Sequence, residues 1–194
     1  MKYNLILGRV NAGKTLFFLN FSSYLGIKNL HIGFRYKSGK TAVKSYSLEE
    51  AKRDLVSQNE HKTRCLQEIE LEIPAGKSKK KILLCDSTGI TETIHEDPVI
   101  RQGMAQTLKL LTKASVVLHI IDTVNFQPNI IDNEIARFAS LRDDYAILAN
   151  KIDLAAEESL NIIKKEFINC LIIPVSSKTK EGFSEVKKFV WTHS

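Results

Sequence analysis

One α/β domain, with a mostly parallel sheet and helices on both faces, is the fold this sequence predicts, and three observations point to it. Six apolar, β-rich runs alternate with segments of helical period, an order that favours parallel strands joined by crossover helices. The first run passes into the first helix through Gly8-Arg9-Val10-Asn11-Ala12-Gly13-Lys14-Thr15, a glycine-bounded turn of the kind that joins strand to helix. The length of 194 residues suffices for one well-buried domain and is short for two. Residues 1–194 are therefore read as a single domain, without repeat, linker or low-complexity tract.

The expected strands are Lys2–Leu7, Cys65–Ile73, Lys81–Cys85, Ser115–Ile121, Tyr145–Ala149 and Leu171–Val175. Helices are expected at Lys14–Leu25, Val99–Thr112, Asn129–Ser140, Ala155–Phe167 and Glu181–Thr192. Asp97-Pro98 reads as a cap followed by proline at the first helical position. Residues 66–73 alternate apolar and polar, which predicts an edge strand with one face toward water. That strand reaches a turn at Pro74-Ala75-Gly76 and is followed at once by another run, so the two should form an antiparallel hairpin. A six-stranded, mostly parallel sheet with one antiparallel edge strand results. The stretch from Gly26 to Arg64 is the least regular; within it Ser47-Leu48-Glu49-Glu50 has the capping-box pattern of a short inserted helix.

No apolar run approaches the ~20 residues that cross a bilayer, and Met1 leads within a few residues into a strand rather than a leader. A cytoplasmic protein without membrane insertion is expected. Cys65, Cys85 and Cys170 are scattered in apolar runs; they read as buried small hydrophobes, neither a disulfide frame nor a metal site. Leu16-Phe17-Phe18-Leu19 reads as core against the sheet. The formal charge of +6 suits an anionic partner. Lys77–Lys81 is a basic cluster at an expected turn, either a solvated loop or a contact for RNA or another anionic surface.

The turn at 8–15 matches G-x-x-x-x-G-K-[ST] in full. Its glycines let successive backbone N–H groups face a β-phosphate at the positive end of the following helix. Lys14 would set its ammonium on the β- and γ-oxygens, and the Thr15 hydroxyl would ligate Mg²⁺. Gly8, Asn11, Ala12, Gly13, Lys14 and Thr15 are thus candidate phosphate-binding residues. The pattern says nothing about the base.

Asn150-Lys151-Ile152-Asp153 follows the fifth run, and Ser176-Ser177-Lys178 follows the sixth. The Asp153 carboxylate can accept from N1–H and the exocyclic amine of guanine, a donor pair that adenine lacks; a wrong base would leave a carboxylate unpaired. Asn150 would tie this loop to the phosphate loop, the Lys151 stem would cover the base, the Ser177 N–H would donate to guanine O6, and Ser176 and Lys178 complete the loop. Asp86-Ser87-Thr88-Gly89 follows the third run. There Asp86 can hold a Mg²⁺-bound water and the Gly89 N–H can reach a γ-phosphate, an approach that only glycine permits.

With these elements in this order, nearly the whole chain resembles a small Ras-like GTPase of the translation-factor-related class, closest to the Era/MnmE-like group. Two details carry the assignment to that group: the phosphate loop reads G-R-x-N-x-G-K-T, and Thr63-Arg64 stands just before the expected edge strand. The resemblance implies a Ras-like G domain with the P-loop NTPase fold, GTP hydrolysis as a molecular switch, and Mg²⁺. It makes Thr63 the switch threonine that caps Mg²⁺ and the γ-phosphate, with Thr41 as its rival. It also implies that Asn11 helps hold a monovalent cation, usually K⁺, which would neutralise charge developing in transfer; a plain loop cap is the alternative for Asn11. Lys14, Asn11, Thr63 and Gly89 are then the catalytic set, and Thr15, Thr63 and Asp86 the metal set.

The chain departs from that group in places. Ile90 stands where Ras-like proteins place a water-orienting glutamine, so intrinsic hydrolysis should be slow. The segment before Thr63 is longer than usual, and the chain read as a G domain alone would lack the RNA-binding domain of Era and the further domains of MnmE. Two functions remain open. The first is a GTPase switch whose partner is RNA, a ribosomal subunit or a modification enzyme. The second is a nucleotide-dependent binding module with little hydrolysis, pairing as a homodimer or serving RNA modification or ribosome assembly. Asp153 argues against a third, an ATP-dependent kinase.

Overall fold

A computed structural model describes residues 3–36, 38–56, 65–75, 78–87 and 109–194. Their elements are β1 (Tyr3–Gly8), α1 (Lys14–Tyr24), β2 (Asn29–Tyr36), β3 (Thr41–Ser47), α2 (Leu48–Leu55), β4 (Cys65–Ala75), β5 (Ser78–Asp86), β6 (Ala114–Asp122), α3 (Ile130–Ala139), β7 (Tyr145–Asn150), α4 (Glu157–Glu166), β8 (Leu171–Val175) and α5 (Phe183–His193). Each expected strand and four of the expected helices are present, with ends shifted by at most three residues. The expected helix Val99–Thr112 lies outside the described residues up to 108; a helical turn occupies 109–113.

Eight strands, rather than six, form one sheet in the order β3-β2-β4-β5-β1-β6-β7-β8. The five from β5 to β8 run parallel, and β4, β2 and β3 extend them through antiparallel steps. β1, β6 and β7 are largely apolar because helices cover both of their faces. One face carries Phe17, Phe18 and Phe21 of α1 with Phe183 and Val186 of α5. The other carries Ile131 and Ile135 of α3 with Ile163 of α4. Phe17, Phe18 and Leu19 are fully buried, which accounts for the aromatic run as core. A polar strut also crosses the second face: His119 in β6 bonds the Tyr145 hydroxyl at 2.9 Å and Asp132 of α3 at 3.0 Å.

The hairpin of β4 and β5 is present, with Gln67 opposite Asp86 and Ala75 opposite Ser78. The expectation that 66–73 forms the edge is corrected, because β2 pairs with β4 on its other side. Alternation reports which face of a strand meets water; it does not report whether a neighbour pairs along the backbone. β3 is the edge on that side of the sheet, and apart from Ala42 and Tyr46 its side chains are exposed. The basic cluster is likewise strand rather than loop over 78–81. Within it Lys79 pairs with Glu72 at 3.2 Å, and Lys80 donates to the Trp191 carbonyl at 3.0 Å. Cys65 and Cys85 are buried free thiols, whereas Cys170 is only half-buried.

The inserted helix α2 starts with the box read from its sequence. Ser47 Oγ accepts from Glu50 N at 3.3 Å, and Glu50 Oε2 accepts from Ser47 N at 2.9 Å. Together these answer two donors that helix geometry leaves open. Ser47→Ala should destabilise the protein by about 1 kcal/mol, read as a lower urea midpoint at unchanged slope. An unchanged midpoint would show that the box contributes nothing here.

Candidate functional site

Three loops at the carboxyl ends of β1, β7 and β8 converge, the place where open α/β sheets present ligand sites. The first loop is shaped by close approach. A Cβ on Gly8, at φ +144°, would stand 2.2 Å from the Ile120 carbonyl oxygen, and one on Gly13, at φ +96°, would stand 2.3 Å from Asn150 Nδ2. Only glycine fits either position. Between them Asn11 adopts φ 62°, a left-handed conformation that asparagine tolerates, and its side chain is exposed. Gly13 caps α1 without any side-chain acceptor, so first-turn N–H groups and the positive helix end face the loop together.

Lys14 is buried, and its Nζ donates to the Arg9 carbonyl at 2.6 Å. Burial pushes its ammonium below the ordinary range, while nearby Asp86 pulls it back up. Thr15 Oγ1 donates to Asp86 Oδ2 at 2.7 Å. Asp86 is wholly buried, and burial raises its carboxyl to about 6 against the opposing pull of Lys14 and Thr15. Its Oδ1 has no hydrogen-bond partner among the described residues. A hydroxyl beside a carboxylate with an unanswered oxygen suits a hard, oxygen-seeking cation such as Mg²⁺. Among the described residues no three acidic, His or Cys side chains converge, so such an ion would draw further oxygens from a ligand.

The second and third loops are joined to the first by one buried side chain. Asn150 Nδ2 donates to the Ala12 carbonyl at 2.7 Å. Its Oδ1 accepts from Ser177 N at 2.8 Å and from Ser177 Oγ at 2.9 Å. Asp153, half-buried, accepts from Ser176 Oγ at 2.7 Å, and that same oxygen receives Thr179 N at 3.0 Å. Lys178 is exposed at the rim. Lys151, at φ 71°, reaches Asp122 Oδ2 at 2.7 Å.

Two members of this constellation escape sequence motifs. Asp122 ends β6 and also accepts from Val124 N at 3.0 Å and Asn125 Nδ2 at 3.1 Å. Burial acts to raise its carboxyl, but the bonds from Lys151, Asn125 and Val124 and the Lys151 charge hold it below its ordinary range. Asn20 sits in the apolar helix α1 and donates to the Ser177 carbonyl at 2.7 Å. Each offered a faint signal, an acid closing an apolar strand and an amide amid Leu-Phe-Phe-Leu.

The structure thus brings together Gly8, Asn11, Ala12, Gly13, Lys14, Thr15, Asp86, Asn150, Lys151, Asp153, Ser176, Ser177 and Lys178 around one set of strand ends. Thr63, Gly89 and Ile90 lie outside the described residues. Thr41 opens the edge strand β3 opposite Arg35, with β2, β4 and β5 between it and β1.

A family model described as 50S ribosome-binding GTPase matches residues 33–151, more than half of the chain. The tRNA modification GTPase MnmE of Aster yellows witches'-broom phytoplasma is 29% identical over 170 residues, covering 85% of this chain and 34% of that protein. The GTPase Der of Lawsonia intracellularis is 29% identical over 128 residues, covering 60% of this chain and 27% of that protein. The chain therefore spans about a third or less of these relatives. Among solved structures, an Aquifex aeolicus Era variant bound to GDP·AlF4⁻ superposes with a TM-score of 0.67 at 22% identity, over 100% of this chain and 57% of that one. Era in complex with MgGDPNP and nucleotides 1506–1542 of 16S ribosomal RNA superposes at 0.66 and 20% identity, over 99% and 56%.

Asn150→Ala removes every bond of the central tie and leaves the Ala12 carbonyl and the Ser177 N–H buried and unpaired. The ligand-free protein should lose roughly 3 kcal/mol of stability. Asn150→Asp keeps the acceptor but sets a buried carboxylate against the Ala12 carbonyl, so its urea midpoint should fall at least as far. A wild-type midpoint for either variant would contradict the assigned bonding.

Proposed function

This chain belongs to the 50S ribosome-binding GTPase family, and on that premise we propose that it binds Mg·GTP and hydrolyses it to GDP and phosphate as a molecular switch. The supporting observation is the Asn150 side chain, which bonds the phosphate loop and the Ser177 loop at once. That contact draws the two loops together, which supports reading them as a phosphate cradle and a purine-edge reader for one ligand. Residues 1–194 are read as one G domain with a cytoplasmic address; no helix among the described residues is long and apolar enough to cross a membrane.

In this reading the N–H groups from Asn11 to Thr15 enclose the β-phosphate, and Lys14 leaves the Arg9 carbonyl for the β- and γ-oxygens. A buried ammonium gains more from an anion than an exposed one, because little water competes. Thr15 and Asp86 would hold Mg²⁺, which supplies charge neutralisation on the phosphates. Asp153 accepts from the guanine edge and is aligned for it by Ser176. Lys151 lays its stem along the base while Asp122 fixes its ammonium. The Ser177 N–H is already engaged with Asn150, so its service to guanine O6 would be shared, or pass to the neighbouring Lys178 N–H. Thr63 is favoured over Thr41 as the switch threonine, since Thr41 belongs to the outermost strand. Gly89 would sense the γ-phosphate, and Asn11 would support a K⁺ ion beside the phosphates.

Ile90 offers no group to orient water, which supports slow intrinsic hydrolysis and keeps the second reading in view, a module that binds or pairs according to its nucleotide. The names of the relatives, among them a tRNA modification GTPase and an Era bound to ribosomal RNA, support a partner in RNA modification or ribosome assembly.

Asp153→Asn should weaken GTP binding about tenfold or more and favour xanthosine triphosphate, measured by equilibrium titration. Unchanged GTP affinity would remove Asp153 from the pocket. Single-turnover hydrolysis should be faster in KCl than in NaCl by about tenfold or more; background rates in both salts would favour the binding module.

A further inference from the structure

Gln67 stands where the surrounding strand asks for an apolar residue. On one face of β4, Cys65, Ile69, Leu71 and Ile73 all enter the core. Gln67 shares that face by strand periodicity and is 2% exposed. Its Oε1 has no hydrogen-bond partner among the described residues. A buried amide oxygen in that condition is unfavourable, and an apolar side chain of similar volume would avoid the penalty.

Its neighbour explains the placement. In the β4–β5 ladder Gln67 lies directly opposite Asp86, so the two Cβ atoms stand about 5 Å apart on the same face. Asp86 Oδ2 is taken by Thr15, while Asp86 Oδ1 is the second buried acceptor there without a partner. Two unanswered acceptors on directly opposed residues, one of them bonded to a threonine hydroxyl at the start of α1, suit one donor carrying two protons. Water bound to a divalent cation is such a donor, and the ion makes its protons more acidic than those of free water.

We propose that Gln67 is a positioning residue for magnesium: its Oε1 accepts a hydrogen bond from a Mg²⁺-bound water that also donates to Asp86 Oδ1. The inference rests on the Mg·nucleotide reading above. It adds a residue that acts through water rather than by touching the metal, and partners of that kind commonly govern metal affinity by an order of magnitude or more.

The test uses the full chain and its Gln67→Leu variant, loaded with a fluorescent N-methylanthraniloyl GDP. Release is followed in EDTA and across a MgCl₂ series, and the nucleotide-free proteins are melted in parallel. The variant should need about tenfold more Mg²⁺ to slow release by half, release at the wild-type rate in EDTA, and melt no lower than wild type, since an isosteric apolar residue relieves the unpaired oxygen. An unchanged Mg²⁺ midpoint would overturn the proposal. So would faster release in EDTA, a lower melting temperature or failure to fold, each of which marks Gln67 as a structural strut. A wild-type protein that binds no GDP analogue would instead bring down the nucleotide reading itself.

Discussion

The carboxamide of Asn150 is the joint on which the site is assembled. It lies at the end of β7, almost wholly buried, and bonds segments 138 and 27 residues away in sequence. An amide suits this position because it offers donor and acceptor at once from a neutral group, so burial carries no ionic penalty. Gly13 is the complement of that joint: its missing side chain is the space that Asn150 Nδ2 occupies. The two residues belong to different motifs, yet neither conformation is possible without the other. The phosphate loop and the base loop are therefore one mechanical unit, seated on the strands that both faces of the core hold rigid.

Around this joint the charged groups are held in strained company. Lys14 is buried against a carbonyl, and Asp86 is buried with one oxygen unanswered. Each is shifted toward its neutral form by burial, and each partly rescues the other. A phosphate–metal pair would supply what both lack, an anion for the ammonium and a dication for the carboxylate. Lys151 and Asp122 behave differently. Their ion pair is complete before any ligand arrives, and Asp122 is braced by backbone and side-chain donors. The phosphate end of the site thus stores unmet demand, while the base end is prearranged. Preorganisation at the base end limits the side-chain ordering that binding requires.

What could be read from the sequence follows from how locally each feature is encoded. The phosphate loop and the Asn-Lys-Ile-Asp element depend on backbone turns set by adjacent residues, and both stand where the motifs placed them. Strands buried on both faces were legible as continuous apolar runs, and α2 was legible from its cap. β2 and β3 were not. In β2 the alternation of Leu30, Ile32 and Phe34 is diluted by Gly33 and by polar neighbours, and β3 turns mostly exposed residues to both sides. The interior position of β4 was hidden for the same reason, since its covering strand was unseen. Asn20 meets Ser177, Asp122 meets Lys151 and Gln67 faces Asp86 across long stretches of sequence, and a pattern within a few residues carries no trace of such pairing.

The segment from β2 to α2, absent from the motif logic, bears directly on the site. β2 meets β4 only over Cys65–Glu68, with Phe34 opposite Gln67, and Phe34 is itself buried. That places an aromatic wall beside Gln67, on the flank away from Asp86. Without β2 this part of β4 would be a free edge, open to water that could satisfy Gln67 and hydrate Asp86 directly. With β2 in place both side chains are almost wholly buried, and strands flank the pair on either side. Removing water strengthens every electrostatic interaction that remains there, so an ion or a proton near Asp86 is felt more keenly. The exposed Arg35–Glu68 ion pair on the opposite face, at 2.8 Å, adds little by itself. The insertion bears on the site by covering the β4 edge, with Phe34 opposite Gln67, while the ladder that sets Gln67 across from Asp86 belongs to β4 and β5.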